Sequence, residues 1–242
     1  MADKSVSREE WAAKIAALDD PRSAARSRKT PITVERIVQT ALELVQAEGF
    51  DALTMRRVAT QLQTGAASLY AHVRNKAALD DLLIGELSSR VTLPTPEPSR
   101  WEAQIIEVCG QLRDHYLEYP GISRAALGAM PSSLDTLRIS EGMLAILLAG
   151  GVPPRSAAWV ADAAVLYVSA YSFEASLRRG PTENADGRAL DRTELIERFR
   201  MLPPDRFPNT VTHASELTSG EGHERFDFTL ELLLRGVDPS AA

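Results

Sequence analysis

The 242-residue chain predicts an all-α fold in two unequal parts, on three observations. Apolar residues recur at helical spacing through most of the chain, and Gly and Pro fall between the periodic segments. Three short helical patterns crowd between residues 33 and 76, whereas those beyond residue 99 are longer and richer in large apolar side chains. At 44% hydrophobic residues the chain is long enough for a small N-terminal three-helix unit of helix-turn-helix type and one larger helical domain.

Residues 1–30 form an extension that this small unit does not require. Arg8 to Leu18 places Trp11, Ile15 and Leu18 on one side of a short helix that is marginal without tertiary packing. Pro21 to Lys29 is rich in Arg, Ser and Ala and reads as a flexible linker, or as a basic arm. From Thr33 to Glu48 the residues Val34, Ile37, Val38, Ala41, Leu42 and Val45 make one helical stripe, with Thr33 as N-cap and Gly49 as left-handed C-cap.

Thr54 caps a second helix, TMRRVATQL, with Val58, Ala59 and Leu62 inward and Arg56 and Arg57 near its start. Gly65 is expected to take the angles of the tight turn that follows. Ala66 to Val73 then makes barely two turns, with Leu69 and Val73 inward and Ala66, Ala67, Ser68, Tyr70, Ala71 and His72 outward. Asn75 and Lys76 open a longer helix that runs to Arg90.

Residues 31–76 are thus one unit, and 77–98 a connecting helix and linker ending in TLPTPEP, which no helix continues through. Residues 99–242 are the larger domain. Ser99 is expected to cap a helix to Tyr119, and Ile122 to Met130 a shorter one; Ser132 or Ser133 starts another, closed by Gly150 and Gly151. Pro154 to Arg179 is apolar nearly all round, which calls for burial on two sides, against the core and against a second copy. Gly180 to Arg192 reads as a loop and 203–222 as irregular, before a last helix from Glu224 to Arg235.

A support helix, a tight turn and a second helix with a bare outer face are the parts of a helix-turn-helix. A solvated face would carry Lys and Glu; small residues with one phenol and one imidazole instead let the helix sink into a major groove. Thr54, Arg56, Arg57, Ser68, Tyr70, His72 and Lys76 then offer donors to phosphates and base edges, with Ala66, Ala67 and Ala71 on the same face. Each has a plainer reading as an exposed or packing side chain, and their joint placement favours DNA. Although the chain carries net charge −6, residues 21–76 hold nine basic side chains against four acidic ones.

Other chemistries find no support. The four histidines lack metal-ligand spacing, and neither a Gly-x-Ser-x-Gly elbow nor a Gly-rich phosphate loop is present, so no enzyme, metal or cofactor is expected. One cysteine, Cys109, excludes an intrachain disulfide, and its apolar stripe marks an inert thiol. The polar N-terminus and the lack of a long apolar run predict a cytoplasmic protein without membrane contact. Trp101, Ile105, Cys109, Leu112, Tyr116, Met130, Met143, Trp159, Tyr167 and Tyr171 are candidate lining for a small-molecule pocket, or simply core.

The words ALELVQAEGFDALTMRRVA and SLYAHVRNKAAL, within Thr33 to Leu87, resemble the DNA-binding domain of the tetracycline-repressor (TetR) family. By that resemblance Thr54, Arg56, Ser68, Tyr70, His72 and Lys76 sit at DNA-contacting positions. It further implies a homodimer through helices 154–179 and 224–235, a palindromic operator and release by a small-molecule inducer. The layout after Val91 is most similar to the branch of the tetracycline repressors themselves. Glu174 falls at that branch's acidic ligand position, but Ala126 and Thr92 replace its histidines and Val108 its amide, so a metal-drug complex is not expected. A ligand-dependent activator, and a ligand-binding protein of this fold without DNA binding, are the alternatives.

Overall fold

The computed structural model describes residues 32–127, 133–179 and 192–237, and among these there is helix and no strand. The N-terminal extension, the segment around Met130 and the loop expected before Arg192 lie outside the described residues.

Helix α1 (Val34–Glu48) starts as its sequence predicts, with Thr33 Oγ1 accepting from the Arg36 N–H at 3.3 Å. Ile37, Ala41, Leu42 and Val45 are buried almost completely. Gly49 follows at φ +82° and ψ 164°, a mirror-extended conformation and not the expected left-handed helical one, which turns the chain into the single turn Phe50–Ala52. In α2 (Met55–Gln61) Thr54 Oγ1 accepts from the Arg57 N–H at 3.1 Å.

The turn after α2 departs from expectation. Gly65 has ordinary extended angles, φ −79° and ψ 147°, and the left-handed residue is Gln63 at φ +53°. The reason is local: the N–H groups of Gln63 and Thr64 fold back onto the carbonyls of Thr60 and Ala59, and this closure puts the positive φ at Gln63. Helix α3 (Ala66–Tyr70) is only five residues long and packs on α2, with Leu69 and Val73 buried completely.

Helix α4 (Lys76–Ser89), capped by Asn75 Oδ1 on the Ala78 N–H at 2.8 Å, joins the two halves. It packs against α1 on one side and against the C-terminal helices on the other, burying Leu79, Leu83, Ile84 and Leu87. The linker after it cannot pair helically, and two side-chain amides from α5 (Trp101–Glu118) satisfy its backbone. Gln111 bonds both the N–H and the carbonyl of Thr92, at 2.8 and 3.0 Å, and buried Gln104 bonds the Glu97 N–H and the Thr95 carbonyl. The start of α5 is also corrected: a 3₁₀ turn, Pro98–Arg100, precedes it, so Arg100 and not Ser99 holds the N-cap position.

Helix α6 is short (Ser123–Leu127), and α7 (Leu134–Ala149) is capped by Ser133. α7 lies so close along α4 that a side chain on Gly85 would come within 3.1 Å of Ser133 Oγ. Helix α8 (Pro154–Arg179) packs on α5, α6 and α7, and α12 (Glu224–Arg235) lies against α8 and α5. Helix α9 (Arg192–Arg200) follows α8, and the stretch 203–222 expected to be irregular contains α10 (Pro208–Thr212) and α11 (Ala214–Leu217); the three pack on one another. These pieces are too short for periodicity to announce them. No described helix is long and apolar enough to cross a membrane.

Candidate nucleic-acid interface and ligand-domain core

The outer face of α3 is built by its inner one. With Leu69 and Val73 fixed inside, Ala67, Ser68, Tyr70, Ala71 and His72 are left exposed, Tyr70 at 53%. Ala66 differs from expectation: it is half-buried and packs against the core, because the first turn of so short a helix leans on its support.

The flanking residues already have work within the head. Thr54 caps α2, and Arg57 pairs with Glu48 at the end of α1, so its guanidinium lies across the α1–α2 junction. Arg56 is exposed. Lys76 forms an ion pair with Asp80, and its ammonium sits 4.1 Å from the Phe50 ring centroid. Burial raises the Asp80 carboxyl above its ordinary value, with Lys76 opposing that rise.

Phe50 also joins the head to the larger domain. Its N–H donates to the Pro120 carbonyl at 2.9 Å, Gly121 at φ +81° lies against its Cβ, and Arg124 sits over its ring while pairing with Asp51. A second tie is Arg138 of α7. One terminal guanidinium nitrogen donates to the carbonyls of Ser88 and Val91, each at 2.9 Å, and to that of Ser89 at 3.3 Å. These carbonyls end α4, where a cation also meets the negative pole of the helix. Neither Phe50 nor Arg138 stood out as functional in the sequence. Both act through partners distant along the chain, and a lone arginine on a helix carries no signal of what it will clamp.

In the larger domain Ile105, Cys109, Leu112 and Tyr116 form one buried stripe of α5, with Met143 of α7 and Tyr171 of α8 buried as well. Trp101 is wedged against Gly150, leaving no room there for a side chain. Burial pushes the Cys109 thiol up to about 12, and likewise the Tyr116 phenol. Tyr167 stacks on Phe226 of α12 at 5.5 Å between ring centroids, and Tyr171 meets the same ring at a tilt, 5.0 Å away. Their phenols are engaged too: Tyr167 donates to the Arg225 carbonyl at 3.2 Å, and Tyr171 bonds the Gly222 carbonyl and meets His223 Nδ1 at 3.1 Å. Glu174 pairs with Arg225.

Trp159 does not join this set. It is 64% exposed on the far side of α8, with the Arg155 guanidinium 4.8 Å from its ring, because a helix apolar all round does not declare which residues face its own core. Met130 lies outside the described residues. Among the described residues no three His, Cys, Asp or Glu side chains come together to hold a metal.

Two family profiles match the chain: residues 37–80 match "Bacterial regulatory proteins, tetR family", and residues 93–240 match "Tetracyclin repressor-like, C-terminal domain". The HTH-type transcriptional repressor DrrR1 of Streptomyces coeruleorubidus is 30% identical over 236 residues, spanning 91% of this chain and 82% of that one. The TetR family protein ActR of Streptomyces coelicolor, solved with actinorhodin and with (S)-DNPA, superposes with a TM-score of 0.77 at 36% identity. The ActR match covers 88% of this chain and at least 99% of ActR. BioQ, solved with its double-stranded DNA operator, is 26% identical with a TM-score of 0.54, covering 61% of this chain and 90% of BioQ. The profiles, the relatives and the exposed reading face agree: this chain belongs to the TetR family of bacterial transcriptional regulators and is a DNA-binding regulator.

Proposed function

We propose that the chain acts as a homodimeric repressor that occupies a palindromic operator and leaves it when a small molecule binds the larger domain. The observation that carries this reading is an apolar stripe on α8 that lies largely open among the described residues. Trp159, Ala163, Leu166, Ala170, Phe173 and Leu177 follow one another at alternating spacings of four and three, and Trp159, Leu166 and Leu177 are strongly exposed. Phe228 and Leu232 of α12 are exposed in the same way. That spacing is the seam of helices packing with a partner, and α8 and α12 with their copies would make a four-helix bundle.

A dimer also answers a shortage of contacts. One five-residue helix with small side chains reaches few base edges, and a two-fold pair doubles them at half-sites about 34 to 36 Å apart, or a multiple of that. Thr54, Arg56, Arg57, Ser68, Tyr70, His72 and Lys76 are assigned to phosphates and base edges, with Ala67 and Ala71 against thymine methyls and Ala66 supporting the helix from within.

Release follows from linkage. A ligand that binds the DNA-incompetent arrangement more tightly draws the protein off its operator, and only that difference in affinity does so. Helix α4 is the element both halves hold, through Arg138 at one end and the head at the other. The stripe Ile105, Cys109, Leu112 and Tyr116, with Trp101, Met143, Tyr171 and Tyr167, is proposed as the wall nearest the ligand, with Glu174 beside it; Trp159, on the far side of α8, is assigned to the seam with the partner instead. ActR, solved with actinorhodin, supports a small-molecule ligand here.

Gel retardation of a fragment from the chain's own promoter tests the reading. The wild type should retard it more strongly as salt is lowered, with weaker binding by Tyr70→Phe and Lys76→Ala. Absence of retardation at low salt would sink the regulator reading.

A further inference from the structure

The Phe50 ring, at the joint between the reading head and the larger domain, is shared by one cation from each. The Lys76 ammonium sits 4.1 Å from its centroid, and the Arg124 guanidinium of α6 lies 5.3 Å from the same point. Two charges that near one centroid are within a Debye length of each other, about 10 Å at 0.1 M salt. The ring is fixed in place: Phe50 is buried, its N–H donates to the Pro120 carbonyl at 2.9 Å, and Gly121 lies against its Cβ.

Each cation also has a carboxylate, and the two pairs are unequal. Arg124 pairs with Asp51, whose side chain is 83% exposed, so that pair is weak and leaves the field of the guanidinium largely available. Lys76 pairs with Asp80 one turn along α4, and this carboxylate is only 23% exposed. Burial raises the Asp80 carboxyl above its ordinary value; Lys76 and Arg124 draw it down, and neighbouring Asp81 pushes it up. Asp80 therefore lies in the field of both cations.

This sharing sets what it costs Lys76 to turn toward DNA. An ammonium that leaves a half-buried carboxylate for a phosphate leaves an uncompensated charge behind, which is strongly unfavourable. With Arg124 in place, the abandoned Asp80 still has a cation near it. Without Arg124 it faces the like charge of Asp81, and Lys76 is held back.

We propose that Arg124 of the larger domain is a positioning residue for DNA binding: by sharing Asp80 and the Phe50 ring with Lys76, it frees the Lys76 ammonium for an operator phosphate without touching the DNA itself. The proposal rests on the assignment of Lys76 to a phosphate. It makes the grip of the head depend on how the larger domain is seated at Phe50.

The test is a double-mutant cycle in the full-length protein, read as retardation of the promoter fragment between about 50 and 200 mM salt. Lys76→Met should weaken binding and flatten the slope of log affinity against log salt by about 0.9 for each reading head on the DNA. Arg124→Met should flatten the slope to a similar extent while Lys76 is present, and no further in the Lys76→Met background. Asp80→Asn no longer holds the ammonium and should restore the slope to Arg124→Met. Arg124→Lys keeps the charge and should match the wild type, whereas Arg198→Met, which removes an equal charge from α9, should leave the slope as it is. The slope reports phosphate contacts and not the amount of folded protein, so a loosened joint in Arg124→Met does not spoil the comparison.

A slope unchanged by Arg124→Met would make Arg124 a structural tie alone and overturn the proposal. A slope that falls equally with and without Lys76 would put Arg124 on a phosphate itself, and overturns it as well. If Lys76→Met keeps the wild-type slope, the assignment of Lys76 falls and the proposal with it. A wild type that fails to retard the fragment at low salt would take down the regulator reading and the proposal together.

Discussion

Replacing Gly150 by alanine should destabilise the protein, although the backbone there welcomes alanine. Gly150 has φ −70° and ψ −2°, right-handed angles that any residue adopts, at the end of α7. At such a position the substitution normally stabilises by about 0.4 to 1 kcal/mol, through the unfolded chain. Here the added methyl would lie 2.3, 2.6 and 2.8 Å from three ring atoms of Trp101, distances that no contact sustains. The indole is large and nearly buried, so relief requires moving the ring or the start of α5. Overpacking of this kind costs about 1 to 3 kcal/mol, and the net expectation is a loss of about 1 to 2 kcal/mol.

Urea melts of the wild type, Gly150→Ala and Gly65→Ala provide the comparison, since a side chain on Gly65 meets nothing within 4 Å. Trp101→Leu in the Gly150→Ala background should recover part of the loss, so the two changes will not add. A Gly150→Ala protein as stable as the wild type would refute the packing argument.

Further outcomes follow from the same contacts. Arg138→Met removes a donor shared by three carbonyls and should cost about 2 kcal/mol, with amide exchange accelerated around residues 88–92 and little changed in α12. Cys109 should resist thiol reagents in the native protein at pH 8 and react once unfolded, since a thiol near 12 is ionised to only about one part in ten thousand there. The folded state holds the Cys109 and Tyr116 protons more tightly than the unfolded chain does. Stability should therefore be level below their ordinary values near 9 and 10 and fall as pH rises toward 12, by about 3 kcal/mol or more; melts that do not move over this range would contradict the burial of both groups. Leu166→Glu should yield a folded monomer in sedimentation that binds operator DNA at least about a hundredfold more weakly.

What the sequence declared and what it withheld divide by range. The caps at Thr33, Thr54 and Asn75, and the bounds of α8 and α12, are local matters of one side chain and its next three residues, and they stand in the structure where the sequence puts them; of the two serines the sequence offered before α7, Ser133 is the cap. The inward pair Leu69 and Val73 was equally legible, because burial at a spacing of four fixes the outward set. Gln63 was missed because glycine is the usual bearer of a positive φ, and the back-folded hydrogen bonds that place it there are not written in the residue type. The Arg138 clamp, the Phe50 contact with Pro120 and the Arg124 pair with Asp51 depend on which distant segments meet, and helical periodicity is silent on that. For α8 the sequence called for two covered sides. Which side is its own core, with Trp159 and Leu166 left outward, came only with the packing.

Selection of bound sequences from a random pool of double-stranded DNA by the full-length protein tests the central claim most directly. A two-fold reader with small-residue helices should enrich a palindrome whose half-site centres lie about one helical turn apart, or a multiple of that, and Leu166→Glu should abolish the enrichment. Enrichment of an asymmetric site, or of nothing over the starting pool, would contradict the account.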